Sequence, residues 1–122
     1  MEISPENTVR YKSKRFAIRI THLYLFLTNE KKEYVLSKQI FRSGTSIGAN
    51  VVEAECGFSR KDFHAKMQIA FKECAETMYW LELLFEGADL LTENQYKSLL
   101  ADCEELQRML SAITKSTRES IE

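Results

Sequence analysis

The sequence predicts an all-α protein, an antiparallel up-and-down four-helix bundle, and three observations carry that expectation. Its 122 residues include only 4 Gly and 1 Pro, too few turn-formers for an all-β sandwich or a βαβ repeat but enough to separate a few long helices. Apolar residues recur at steps of 3 and 4 in four successive stretches, the period of an amphipathic helix. With 44% apolar and 29% charged residues, the composition is that of a folded chain. One domain usually takes roughly 100–200 residues. Residues 1–122 therefore read as a single bundle domain, with helices expected at 10–29, 33–56, 60–87 and 93–116.

In the first helix Phe16, Ile20, Leu23 and Leu27 share a face, and Ser13 is placed to cap it. The second runs on Leu36, Ile40, Ser43, Ile47, Val51 and Ala54. It carries Ser43, Gly44, Ser46, Gly48 and Ala49 in one cluster. Gly costs about 1 kcal/mol against Ala inside a helix, so the cluster signals either close backbone approach or a break. Cys56-Gly-Phe-Ser ends that helix, with Gly57 suited to the left-handed conformation and Ser59 to the next N-cap. The third helix is read on Phe63, Met67, Ala70, Cys74, Met78, Leu81, Phe85 and Ala88, closed by Gly87 and Asp89. Thr92 and Gln95 form a capping-box pattern ahead of Tyr96, Leu99, Cys103, Leu106, Leu110 and Ile113. The ends before Val9 and after Lys115 are expected to fray.

The formal charge is −1, but it is divided unevenly: Met1–Lys61 carries 11 Lys+Arg against 6 Asp+Glu, and Asp62–Glu122 carries 6 against 12. Opposite signs in the two halves either pair basic helices with acidic ones or display a basic face. Cys56, Cys74 and Cys103 are widely spaced and include no Cys-x-x-Cys pair. They fit free thiols in a reducing cytoplasm better than a disulfide framework or a zinc ribbon. No apolar run nears the roughly 20 residues of a membrane helix, so no membrane partner is expected.

Gln39, Arg42, Ser46, Asn50 and Glu53 step by 3, 4, 4 and 3 along helix two. This polar stripe reads either as a ligand or RNA contact, with Arg42 on phosphate and Asn50 on a base edge, or as an interhelical network with Glu73 and Glu76. The structural reading is better supported, because buried polar groups need partners. A second set, Lys12, Arg15, Arg19, Lys38 and Arg42, with Tyr11, Tyr24 and Tyr34 nearby, reads as a basic surface for RNA or DNA. Its alternative is a solvated face paired with acidic helix four. Helix three has more apolar surface than one core uses: Ile69, Phe71, Trp80 and Leu83 fall away from the seam and are the candidates for an oligomer interface. A di-metal centre would need inward Glu-x-x-His pairs, but Arg19 precedes His22 and Lys61 precedes His64 at that spacing. With no nucleophile elbow, phosphate-binding glycine loop or zinc motif, the chain is read as non-enzymatic, without metal or cofactor.

The stretch Gln39-Ile-Phe-Arg-Ser-Gly-Thr-Ser-Ile-Gly-Ala-Asn with Glu53, and the later run from Phe63 to Leu83 containing Lys72, Glu73, Glu76 and Trp80, resemble helices two and three of the four-helix bundle proteins encoded in intervening sequences of 23S ribosomal RNA genes. The resemblance spans residues 33–116. It implies a ring-like homopentamer; a related branch, accessory to diversity-generating retroelements, binds nucleic acid and a reverse transcriptase. The resemblance therefore implies the chain itself as a partner, and nucleic acid or a reverse transcriptase as further ones. The weakly acidic charge of this chain departs from that strongly basic branch. A protein-binding scaffold with no nucleic-acid role is the alternative function.

Overall fold

A computed structural model describes residues 4–121; the fraying expected of residues 1–3 and 122 lies outside the described residues. The described residues form four long helices and no strand: α1 (Val9–Asn29), α2 (Leu36–Glu55), α3 (Arg60–Glu82) and α4 (Glu93–Ile121). A short 3-10 turn, Pro5–Asn7, precedes α1, and a π-helical turn, Leu83–Gly87, continues α3.

Local chemistry sets the ends, in two places differently from expectation. Thr8, not Ser13, caps α1: its backbone is extended and its hydroxyl oxygen accepts the Tyr11 amide at 3.1 Å. Ser13 lies a turn inside the helix, buried, with its hydroxyl donating to the Arg10 carbonyl. The start of α2 is held from upstream. Glu33 stands outside the helix, and its carboxylate accepts the amides of Val35, Leu36 and Ser37 at 2.8–2.9 Å, groups that no intrahelical carbonyl could satisfy. Ser59 caps α3 by accepting the Asp62 amide at 3.0 Å. Thr92 and Gln95 form the reciprocal capping box of α4, at 2.8 and 3.1 Å. The left-handed positions are Lys32 (φ 54°) and Asp89 (φ 55°), and Gly57 is not among them. A Cβ at Gly57 would stand 3.2 Å from both the Ala54 carbonyl oxygen and the Asp62 Cβ, so crowding accounts for this glycine.

Contacts across each seam fix an antiparallel course. Along α1 and α2, Arg10 meets Glu55 (2.6 Å), Gly48 faces Ser13, Gly44 faces Ile20, and the Tyr24 and Phe41 rings stack with centroids 4.5 Å apart. Along α2 and α3, Lys66 meets Glu53, and Ser43 Oγ lies 2.9 Å from Thr77 Oγ1 in the buried interior. Along α3 and α4, Arg60 donates to Ser120, His64 meets Thr117, the Cys103 thiol donates to the Cys74 carbonyl, and Phe85 stacks on Tyr96. The seam between α1 and α4 is the loosest of the four.

The core gathers Phe16, Ile20, Leu23 and Leu27 of α1 and Ile40, Ile47, Val51 and Ala54 of α2 together with Met67, Ala70, Cys74, Leu81, Leu84 and Leu91, and closes on Leu99, Cys103, Leu106 and Leu110, whereas Leu36, Phe63, Tyr96 and Ile113, expected in the seams, are only partly buried against it. Two positions of α3 differ from the sequence pattern. Thr77 rather than Met78 faces inward, because its hydroxyl meets Ser43 and the Glu73 carbonyl, and Leu84 replaces Phe85 in the seam. The π turn closes with the Ala88 amide donating to the Leu83 carbonyl (2.9 Å), and Ala88 beyond it is exposed rather than seam-lining. At the far end α4 continues as helix through Ile121 instead of fraying after Lys115, because Thr117 and Ser120 are tied to His64 and Arg60 of α3. Among the described residues no helix is long and apolar enough to cross a membrane.

The small residues of α2 mark close approach, not a break. A Cβ at Gly44 would come within 2.8 Å of Ile20 Cγ1, whereas one at Gly48 would stand at an ordinary 3.4 Å from Ser13. Gly44→Val is therefore expected to destabilise the bundle by about 1–3 kcal/mol through overpacking. Gly48→Ala should be neutral or stabilise by up to about 1 kcal/mol through helix propensity. Urea unfolding followed by circular dichroism measures both; equal responses at the two positions would contradict the close approach at Gly44.

Candidate functional site

Two residues of the polar stripe of α2, Arg42 and Glu53, pair with α3. The Arg42 guanidinium pairs with Glu73 at 3.4 Å and, more closely, with Glu76, whose carboxylate also accepts the Trp80 indole N–H at 3.3 Å. Glu53 pairs with Lys66 at 3.3 Å. Ser46 and Asn50 turn back on their own helix, donating to the carbonyls of Arg42 (2.6 Å) and Ser46 (2.8 Å). Gln39 and Lys72 are exposed. The stripe thus divides into an interhelical charge cluster around Arg42, an outer Glu53–Lys66 pair, and hydroxyl and amide groups satisfied within α2.

The basic set on α1 meets acids from α4. Lys12 Nζ lies 3.1 Å from Glu105. Arg19 donates to Asp102 at 2.6 Å and, through its second nitrogen, to the Ser98 hydroxyl at 3.0 Å. Arg15 lines a groove of about 180 Å³ that also holds Glu6, Asp102 and Glu105. Three cations here face three carboxylates, so this surface has little net field to offer a phosphate backbone. Lys38 is exposed and, like Arg15, has no ion pair among the described residues.

The four apolar candidates of the third helix separate. Phe71 and Trp80 are half-buried and pack against the bundle's own core, and Leu83 is half-buried in the π turn. Ile69 remains 40% exposed, and so does a residue the sequence pattern did not single out, Tyr79, at 53%, ten residues further along the same helix. Helical angle alone placed Phe71 and Trp80 outside the seam; their size lets them reach back to it.

Cys103 is buried, and its hydrogen bond with Cys74, followed by burial, pushes the thiol far above its ordinary range, so it stays protonated. Cys74 is also buried and free, and Cys56 is exposed. Among the described residues there is no group of three His, Cys, Asp or Glu side chains able to hold a metal ion. Every buried side-chain polar atom described has a hydrogen-bond partner.

These features define a class: a small all-α bundle held in register by interhelical ion pairs and buried hydroxyls. The sequence profile of the 23S rRNA-intervening sequence protein family matches residues 5–112, and the chain belongs to that family. It is also similar, at 54% identity and a TM-score of 0.86, to a protein with unknown function from the S23 ribosomal protein family of Bacteroides thetaiotaomicron VPI-5482, solved by crystallography at 1.70 Å; the match covers 88% of this chain and 99% of that one. No curated protein matches the chain.

The charge cluster around Arg42 predicts a graded response. Arg42→Ala leaves Glu73, whose side chain is only 18% exposed, without its cation and should cost about 1 kcal/mol. Glu53→Ala, in a pair whose members are 60% and 41% exposed, should change stability by less than about 0.5 kcal/mol. Denaturant midpoints at low and high salt separate the two, and an Arg42→Ala protein as stable as the parent would refute the network.

Proposed function

We propose that the chain is a non-enzymatic assembly module that works by associating with further copies of itself. The observation carrying this reading is the outward apolar surface of α3, Ile69 and Tyr79, which the bundle's own core leaves uncovered. Phe58, wholly exposed in the α2–α3 turn, and Tyr34 and Val35, 60% and 73% exposed between α1 and α2, add apolar contact points at the two ends. Large apolar side chains held in water on a rigid helix favour association, since each Å² removed from water contributes about 25 cal/mol. A ring of five, the assembly implied by the family resemblance, is one arrangement such a surface would support.

Sedimentation velocity tests the proposal. The parent protein should sediment as a multiple of 14.2 kDa at micromolar concentration. Ile69→Asp combined with Tyr79→Asp should return it to the monomer with unchanged helical circular dichroism. A monomeric parent would overturn it.

A second reading, binding of RNA or DNA with or without a partner such as a reverse transcriptase, is favoured by the exposed, unpaired Arg15 and Lys38. The carboxylates interleaved with the α1 cations weigh against it. Titration with structured RNA at about 50 and about 200 mM salt distinguishes it, since phosphate contacts make affinity fall steeply with salt.

A further inference from the structure

We infer that the seam between α3 and the C-terminal half of α4 holds a binding site for a phosphoryl group, where Gln68 and Lys72 of α3 face Ser111, Lys115 and Arg118 of α4 across a groove of about 420 Å³. Phe71 and Thr114 also line it. This is a different place from the α1 stripe, and here no carboxylate balances the cations. Only 6 Lys and Arg follow Asp62 in a half with 12 acids; three of those six line this one groove, and no carboxylate does. None of the three has an ion pair among the described residues, although Glu119 lies one turn from Lys115 and Glu73 lies beside Lys72 in sequence. Glu73 is turned the other way, onto Arg42.

The groove continues a run of donors along the seam. On α3 Arg60, His64, Gln68 and Lys72 recur every fourth residue, and on α4 Ser111, Thr114, Thr117 and Ser120 recur every third, and members of the two series meet along the seam. At the outer end the two series bond to each other, Arg60 to Ser120 and His64 to Thr117, each at 2.6 Å. Those contacts hold the helices at fixed separation. Thr114 and Thr117 are satisfied by backbone carbonyls of α4. Further in, Gln68, Lys72, Ser111, Lys115 and Arg118 have no side-chain hydrogen bond described, and they line the groove together. The start of α3 and the end of α4 meet at this end, so their macrodipoles oppose and the side chains determine the sign of the potential. Two ammonium groups, a planar guanidinium fork, a hydroxyl and an amide are the donor set that a compact dianionic oxyanion requires. A carboxylate-bearing ligand would use fewer of these donors.

The experiment follows backbone amide chemical shifts of the full chain during titration with inorganic phosphate, with chloride as the ionic-strength control, and separately with a short oligouridylate. Saturable shifts centred on Gln68, Lys72 and Lys115 in phosphate but not in chloride are expected. Lys72→Gln, Lys115→Gln and Arg118→Gln together should weaken that response at least about tenfold, with circular dichroism and melting temperature unchanged because all three side chains are exposed. An oligouridylate response lost in the same variant, and tighter than that to free phosphate, assigns the site to a nucleic-acid backbone. A response to phosphate alone assigns it to a small phosphorylated ligand. Absence of any saturable shift up to about 10 mM phosphate, or oligouridylate binding that survives the triple substitution, overturns the site.

Discussion

The backbone of α2 lies against the Ile20 side chain because residue 44 has no Cβ, and the remaining packing depends on that approach. A methyl group there would stand 2.8 Å from Ile20 Cγ1, so the α1–α2 spacing is set by the absence of an atom. The consequences run outward along both helices. Tyr24 stacks on Phe41 one turn in one direction, and Ser13 is sealed beneath Gly48 one turn in the other. On the opposite side of the same α2 turn, Ser43 reaches Thr77, so one small-residue segment sets register against α1 and α3 together. Tight interiors transmit such constraints because they have no slack volume to absorb them.

The divided charge of the chain is largely resolved within it. Lys12 and Arg19 of the basic half meet Glu105 and Asp102 of the acidic half, and Arg42 meets Glu73 and Glu76. Exposed pairs of this kind contribute roughly 0–1 kcal/mol each, too little to hold the bundle together. They matter more as selectors: a slipped or reversed α4 would take Glu105 and Asp102 away from Lys12 and Arg19. That role counts most at the α1–α4 seam, the loosest of the four, where apolar packing specifies register least.

The four helices were legible because the 3-and-4 spacing of Phe16, Ile20, Leu23 and Leu27, and of Leu99, Cys103, Leu106 and Leu110, requires no knowledge of neighbours. So were the caps at Ser59 and Thr92, which involve residues three apart. Features set by longer-range geometry were not legible. Ser13 has the composition of a cap, yet only the packing against Gly48 reveals it as buried. Gly57 has the composition of a left-handed residue, whereas Lys32 and Asp89 adopt that conformation. The last turn of α4 has little apolar pattern, and its helix persists through bonds to Arg60 and His64 that lie 60 and 53 residues away. For the candidate site, spacing gave the polar stripe of α2, and pairing with Glu73 and Glu76 was one of two readings of it; Arg42 makes that pairing, whereas Asn50 bonds within α2. The Lys72–Lys115–Arg118 grouping was not legible, since it joins two helices across a register that spacing does not give.

The proposed assembly surface and the proposed phosphoryl groove would lie side by side on α3. Lys72 falls between Ile69 and Tyr79 in the sequence of that helix, so copies associating through the apolar residues would bring Lys72 to the edge of the contact. A desolvated ammonium is costly unless paired, and copies of the same chain would offer one another cations at that edge. An oxyanion seated among Lys72, Lys115 and Arg118 would supply the missing negative charge without altering the apolar contact. Because coupling between two binding events is reciprocal, a ligand that eases assembly in this way must itself bind the assembled form more tightly than the monomer. The physical link would be one side chain, Lys72, which lines the groove and would stand at the edge of that contact.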